Sequence, residues 1–341
     1  MSTPLILAGD VGGTKTVLSL RAPDGAGVVR TAALPSAGHA SLPALIDAFL
    51  GHERPAIAAA AFGIAGPVVG DTTWLPNLPR WPEITRAGLE ASLGAPVALM
   101  NDLVATAWGV PAVPADQIVT VQAGRPEDGP VAVIAAGTGL GMAVRVVVGG
   151  QEHVMASEGG HVDYGPRDEL DMDLTRWLQA RLGGRVSLER VVSGGGIGHL
   201  YGHLRERAIG PANPDLDAAL DALGEDRWAS EAGALVAAAA AAGCVRSQLA
   251  LRRFSAAYGA AAGNLALLTM ATGGLYVGGG IAPRNLSTLL EGGFLAAFLD
   301  KGRYRALMER IPVYVVLEQQ TALLGAVRRA SALVIPKQMF S

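Results

Sequence analysis

Residues 9–16 read GDVGGTKT, and the parsing of this octet decides the fold. Its tail imitates a phosphate-binding P-loop, which needs a glycine, four residues, then Gly-Lys-Ser/Thr. Counted from Gly9, the second required glycine falls on Thr14, so the spacing fails by one residue. The flanks separate the two readings. LILA (5–8) is a short apolar run, and TVLSLRA (16–22) is rich in β-branched and apolar residues. A P-loop and a dinucleotide fingerprint both continue into a helix, whereas two strand-like runs about a glycine pair describe a β-hairpin. Glycine is expected there because it tolerates the positive φ of tight hairpin turns. Such a turn still offers uncovered backbone N–H groups to a phosphate.

A second passage has the same grammar. VAVIAAGTGLGMAVRVVV (131–148) is an apolar run, a glycine-rich turn and another strand-like run. Either hairpin alone could be ordinary structure. Recurring with a threonine in each, they predict two related lobes, each with a backbone cradle for one side of a phosphate chain. Gly12, Gly13 and Thr14 form one cradle, and Gly137, Thr138 and Gly139 the other. Between them, AIAAAAFGIAGPV (56–68) reads as a buried strand and WLPNLPRWPEI (74–84) as a proline-stiffened loop suited to a pocket rim. PVALMNDLVATAWGV (96–110) reads as a strand running into a helix, and a long helix is expected at about 245–270. GGLYVGGGIAPR (273–284) is a strand ending in three glycines, and TALLGAVRRASALV (321–334) has helical spacing. No low-complexity linker intervenes. The expectation is an α/β protein of two lobes sharing a cleft: residues 1–110, joined by a C-terminal helix at about 321–341, and residues 111–320.

Bulk properties narrow the function. Charged residues are 17% of the 341, below the roughly 25% of an average globular protein, and the net charge is −3. No basic footprint exists for nucleic acid or an anionic membrane. The single cysteine, Cys244, rules out an intrachain disulfide and any multi-cysteine metal site. GALVAAAAAAGCV (233–245) is too short for the ~20 residues that span a bilayer and reads as a buried or half-buried helix. The N-terminus lacks the basic start and apolar core of a signal peptide. A soluble cytoplasmic protein is expected.

Five places could carry chemistry. Asp10 ends the first strand beside a phosphate cradle, where a carboxylate repels phosphate unless Mg²⁺ intervenes; the alternative is an ordinary turn aspartate. Asn101 and Asp102 sit where a strand gives way to a helix. A carboxylate there is a helix cap or, at the C-terminal end of an interior strand, a catalytic base. Glu158 and His161, split by two glycines, suit the hydroxyls of a sugar, since a carboxylate accepts from two vicinal hydroxyls and histidine both donates and accepts. A metal on His161 and Asp163, or a surface histidine, are the competing readings. Glu189 is a weaker second polyol contact. Gly278, Gly279 and Gly280 admit a flat base or ribose to the backbone, or mark a close helix–strand crossing.

In order, GDVGGTKT, NDLVATAWG, AAGTGLGMA, EGGHVDYGP, LERVVSG and GGLYVGGGIAPR resemble the bacterial ATP-dependent glucokinases of the hexokinase–actin superfamily. The resemblance spans nearly the whole chain. It implies an actin-like, ribonuclease H-like fold with a small α/β lobe, a larger α+β lobe, and glucose in the cleft between them. By matched motif, Asp102 is implied as the base for the sugar 6-hydroxyl, with Asn101, Glu158, His161 and Glu189 as hydroxyl ligands. Gly12, Gly13 and Thr14, with Gly137 to Gly139, are implied as phosphate loops, and Gly278 to Ile281 as the adenosine side. ATP with Mg²⁺ and a homodimer follow from the same resemblance. Lys15 and LPNLPRW lean toward the repressor/open-reading-frame/kinase group. That group's cysteine-rich zinc motif has no counterpart in GPRDELDMDL (165–174), so the zinc-free branch is expected. A kinase for another hexose or an amino sugar, a polyphosphate donor, and a non-catalytic sugar sensor are the competing functions.

Overall fold

The computed structural model describes residues 3–52 and 54–334. Residues 335–341 of the expected C-terminal helix lie outside the described residues. The chain divides into two compact units. One comprises the residues up to 115, 154–156 and those from 318; the other comprises 116–153 and 157–317.

In the first unit, β1 (Leu5–Val11), β2 (Lys15–Arg21) and β3 (Val28–Pro35) form an antiparallel meander. β4 (Ile57–Ile64) then pairs in parallel with β1. A small three-stranded sheet follows, made of β5 (Val68–Val69), β6 (Thr72–Thr73) and β7 (Ile84–Thr85). β8 (Val97–Asn101) adds in parallel to β4, giving the order β3-β2-β1-β4-β8. β1 and β4 are apolar without a polar alternation because both faces of the sheet are covered. Leu7, Leu18 and Phe62 pack with Leu45, Ile46 and Phe49 of the helix Leu42–Leu50. Ile6, Ala8 and Ala61 pack with Leu323, Ala326 and Val327 of the helix Thr321–Val334. The loop read as a pocket rim also anchors in this core: Leu75, Leu78 and Trp81 are buried, and the Trp81 indole N–H donates to the His39 carbonyl at 2.8 Å.

The second unit holds β9 (Ile118–Gln122), β10 (Val131–Ala136), β11 (Leu140–Val148), β12 (Gln151–Ser157), β13 (Gly274–Gly278) and β14 (Val313–Val316). Their order is β12-β11-β10-β13-β14-β9. The two sheets follow one plan. Three sequential strands lie side by side, and two later strands continue the sheet parallel to the first of them. The core of this sheet is closed by the helix Val245–Thr269, with Phe254, Tyr258 and Leu265 inward. The buried Tyr258 hydroxyl accepts from the Ala136 N–H at 3.1 Å and donates to the Ile134 carbonyl at 3.2 Å. The alanine-rich stretch is helical over Glu225–Ala241. Among the described residues, no helix is long and apolar enough to cross a membrane.

Both glycine hairpins form, but not for the reason expected. Gly12, Gly13, Gly137 and Gly139 are not among the positive-φ residues, whereas Gly149 and Gly150, joining β11 to β12, have φ of 57° and 74°. Three of the four, Gly12, Gly13 and Gly139, are glycine for space. A Cβ would fall 2.9 Å from the Lys15 carbonyl oxygen at Gly12, 3.0 Å from Asn77 Cβ at Gly13, and 2.6 Å from Glu189 Oε2 at Gly139.

Candidate active site

In the first unit the parallel registers align Asp10 with Gly63 on β4, and Gly63 with Met100 on β8. The carboxyl ends of three neighbouring strands therefore finish together, with Asp10 and the Asn101–Asp102 pair at that edge. β8 turns directly into the helix Asp102–Gly109. Asn101, not Asp102, is the cap: the Val104 N–H donates to Asn101 Oδ1 at 2.7 Å. Asp102 is thus the first helical residue, and the Leu103 N–H donates to its Oδ1 at 2.9 Å. A carboxylate at that position faces the positive end of the helix dipole. Gly63 permits the arrangement, since a Cβ there would fall 2.6 Å from Ala105 Cβ of this helix. Asp10 feels the opposite environment. Burial first, then the neighbouring Asp102 carboxylate, push its carboxyl up to about 6, with Lys15 pulling it back.

The first glycine turn is fixed by its carbonyls. Ser36 donates its N–H to the Thr14 carbonyl at 3.0 Å and its hydroxyl to the Gly12 carbonyl at 2.6 Å, and its Oγ lies 2.9 Å from Thr16 Oγ1. The Gly12 N–H closes the turn onto the Lys15 carbonyl at 3.0 Å, while those of Gly13 and Thr14 find no acceptor among the described residues. Ser36 has no motif around it, so nothing in the sequence singled it out.

The second unit assembles the other residues around the β10–β11 turn. The Gly137 N–H donates to the Gly139 carbonyl at 2.8 Å, and the Gly137 carbonyl accepts from the Gly194 N–H at 2.9 Å. The Leu140 N–H donates to Glu189 Oε2 at 2.8 Å, which locks the Glu189 carboxylate against the turn. Glu158 precedes, and His161 ends, a short helical turn, Gly159–His161, that sits on the start of β11. Only glycine fits at 160, where a Cβ would fall 1.9 Å from the Leu140 carbonyl oxygen. The Leu188 N–H donates to the Val162 carbonyl at 2.8 Å, tying the Glu189 segment to the Glu158–His161 segment. Glu158 and His161 are both exposed, with Glu158 Oε2 4.0 Å from His161 Nε2.

Beside this turn lies a cavity of about 250 Å³ within the second unit. Gly137, Thr138 and Gly194 line one part of it, and Ile281, Arg284 and Asn285 another. The three consecutive glycines divide the work: Gly278 ends β13, Gly279 turns the chain with φ 81° against the Ala136 carbonyl, and Gly280 lines the cavity. Two walls escaped the sequence reading. Ser193 caps the helix Gly194–Glu206, accepting from the Gly196 N–H at 3.0 Å. Ala229, Gly233 and Ala237 of the helix Glu225–Ala241 supply the facing wall. The signal was the run SGGGIG (193–198), together with small residues at fourfold spacing along an alanine-rich helix.

Two sheets of one plan, each with a glycine turn at a strand end, and an aspartate that opens a helix at the ends of parallel strands, make up an actin-like, ribonuclease H-like fold. A family model described as Glucokinase matches residues 7–333. The chain is 38% identical over 341 residues to the glucokinase of Nostoc punctiforme, covering 96% of this chain and 99% of that one. The structure of a glucokinase from an Antarctic psychrotroph superposes with a TM-score of 0.81 at 30% identity, covering 97% of this chain and 100% of the other. A ROK family glucokinase from Streptomyces griseus, in complex with glucose and AMPPNP, shares the fold at a TM-score of 0.62 and 24% identity, covering 96% and 99%. The chain belongs to the glucokinase family. It is an ATP-dependent hexose kinase.

Proposed function

We propose that this chain transfers the γ-phosphoryl group of MgATP to the 6-hydroxyl of D-glucose, giving glucose 6-phosphate and ADP, with Asp102 as the base. The observation that carries the assignment of the base is the setting of Asp102, a carboxyl group at a helix start and at the carboxyl ends of parallel strands. Asp102 orients the 6-hydroxyl and takes its proton as the oxygen–phosphorus bond forms and the bond to the β-phosphate oxygen breaks. The transition state of phosphoryl transfer is loose, so the protein's work is positioning and electrostatics. Asn101, Glu158, His161 and Glu189 hold the other sugar hydroxyls. The turns Gly12-Gly13-Thr14 and Gly137-Thr138-Gly139 hold the phosphates through the N–H groups of Gly13, Thr14, Thr138 and Gly139, while those of Gly12 and Gly137 close the turns. Adenosine occupies the cavity that Gly280 lines, with Gly278 and Gly279 behind it. Asp10, a carboxylate oxygen donor in a largely desolvated place, suits Mg²⁺ and would hold the ion through water. When bound, Mg²⁺ offsets the charge of the phosphates. A cytoplasmic homodimer belongs to the same proposal, on kinship alone.

The test is ADP production from MgATP with glucose, mannose, fructose, glucosamine, N-acetylglucosamine and N-acetylmannosamine. Asp102→Ala is assayed alongside. Turnover mainly on glucose is expected, falling by roughly 10²–10⁴ in the variant while calorimetry still detects glucose binding. Turnover mainly on an amino sugar would reassign the substrate, and near-wild-type turnover of Asp102→Ala would remove the base.

A further inference from the structure

The helix Glu225–Ala241 acts as a ruler along the cavity, because Ala229, Gly233 and Ala237 recur on one face and all line it. A Cβ on Gly194 would fall 2.8 Å from the Ala229 carbonyl, and one on Gly233 2.7 Å from the Gly194 carbonyl. The Gly137–Gly194 end of the cavity is therefore at Ala229 and Gly233. The other end is marked by a neighbouring cavity of about 260 Å³, lined by Ala237, Ala240 and Ala241 together with Arg284 and Asn285. Asn285 thus stands at the Ala237 end, about 6 Å beyond Gly233 and about 12 Å beyond Ala229 at 1.5 Å per helical residue. With phosphates on the Gly137–Gly139 turn, as the proposed function requires, the purine base reaches the Asn285 end.

Asn285 is only 9% exposed, yet it lines both cavities. Its Nδ2 donates to the Ile281 carbonyl at 3.0 Å. A carbonyl can only accept, so the amide cannot turn over: its NH₂ faces Ile281 and its Oδ1 faces the other way. Among the described residues nothing donates to that Oδ1. At the 6-position adenine carries an amino donor and guanine a carbonyl acceptor. A fixed acceptor welcomes the first and opposes the second. We propose that Asn285 reads the base, accepting from the 6-amino group of ATP and selecting against 6-oxopurine nucleotides. A buried acceptor facing a second acceptor leaves both unpaired, which is the stronger form of discrimination.

The inference rests on the nucleotide occupying this cavity, so the experiment separates the two claims. kcat/KM is measured for ATP and for inosine triphosphate, which differ at the 6-position and in the hydrogen on the adjacent N1, in the wild type, Asn285→Ala, Asn285→Ser and Ala234→Phe. The wild type is expected to favour ATP by roughly 10–100-fold. In Asn285→Ala and Asn285→Ser, ATP loses most of that advantage, inosine triphosphate holds its value, and the KM for glucose stays put. A wild type that uses both nucleotides equally overturns the inference without any variant, as does an unchanged ratio in a folded Asn285 variant. Ala234→Phe fills the cavity and is expected to raise the KM for ATP. If it does not, the nucleotide lies elsewhere, and the reading of the cavity fails along with the role of Asn285.

Discussion

The side-chain oxygen of Asn101 accepts from the Val104 N–H at 2.7 Å, which leaves its NH₂ group to offer a sugar hydroxyl. With the proposed sugar contact on that NH₂, capping and sugar binding reside in different atoms of one amide and respond differently to substitution. Asn101→Ala removes both, and is expected to lower the unfolding free energy by about 1 kcal/mol and to raise the KM for glucose by roughly 3–10-fold. Asn101→Ser keeps a capping oxygen but lacks the amide donor, so stability returns while the raised KM remains. Urea titration and steady-state kinetics on both variants decide the matter; serine restoring both properties would make Asn101 a cap and nothing more. The cap was legible only approximately in the sequence. Asn-Asp before an apolar run announces a helix start, but two good capping residues in succession leave the phase open. The phase matters here, since it makes Asp102 the first helical residue and aims its carboxylate. The nearness of Asp10 to Asp102 was not legible, because their separation along the chain is closed by β4 pairing with both β1 and β8.

The helix that carries Asp102 is set by one close crossing. A Cβ on Gly325 would fall 1.7 Å from the Ala105 carbonyl oxygen, and one on Gly109 1.9 Å from the Thr321 carbonyl oxygen. The helices Asp102–Gly109 and Thr321–Val334 therefore touch backbone to backbone. Gly325→Ala is expected to cost about 1–3 kcal/mol by overpacking and to lower kcat by shifting Asp102; retention of both by denaturant midpoint and kinetics would show that the crossing can relax. A second pair of helices is joined by charge. Asp173, on the helix Glu169–Leu182, accepts from Arg207 Nε and from His203 Nε2, each at 2.7 Å. Arg207 first, then His203, hold its carboxyl well below the usual carboxylate range. A depressed folded value means the contribution is complete above the unfolded value of about 3.9 and fades as pH falls below it toward the folded value. The gap in unfolding midpoint between wild type and Asp173→Asn is accordingly expected to be steady from pH 7 to pH 5 and to shrink below about pH 4. A gap that persists undiminished at pH 3 would sink this account. At this scale the sequence was informative about strands and turns, because apolar runs and glycine clusters are local. It misjudged what the glycines do: the hairpin turns need room for Asn77 and Glu189, which only tertiary packing brings near. The cavity wall on Glu225–Ala241 was hidden for a related reason, since an alanine-rich helix looks the same whether its small residues serve propensity or a ligand.

At the scale of the molecule, the apolar cores belong to separate units. One large core is built from residues of the second unit, from Ala132 to Val315. The first unit has cores on both faces of its sheet, and one is completed only by Leu323, Ala326, Val327 and Ala330 near the end of the described chain. Each unit thus has the apolar burial that supports its own cooperative transition, and a single two-state description does not hold for such chains in general. Calorimetry is expected to resolve two transitions. The cavity and the Gly137–Gly139 turn lie wholly in the second unit, so AMP should act on that unit's transition alone. At one hundred times its Kd, AMP is expected to stabilise the second unit by about 2.7 kcal/mol and to leave the other transition where it was. Amide exchange supplies the assignment, with slowing expected in β10 and the helix Val245–Thr269 and none in β1 or β4. A single transition whose calorimetric and van't Hoff enthalpies agree would show the units to be one cooperative block. Two transitions with AMP protecting β1 and β4 would place the nucleotide's main contacts in the first unit, and the assignment of the cavity to adenosine would fall with it.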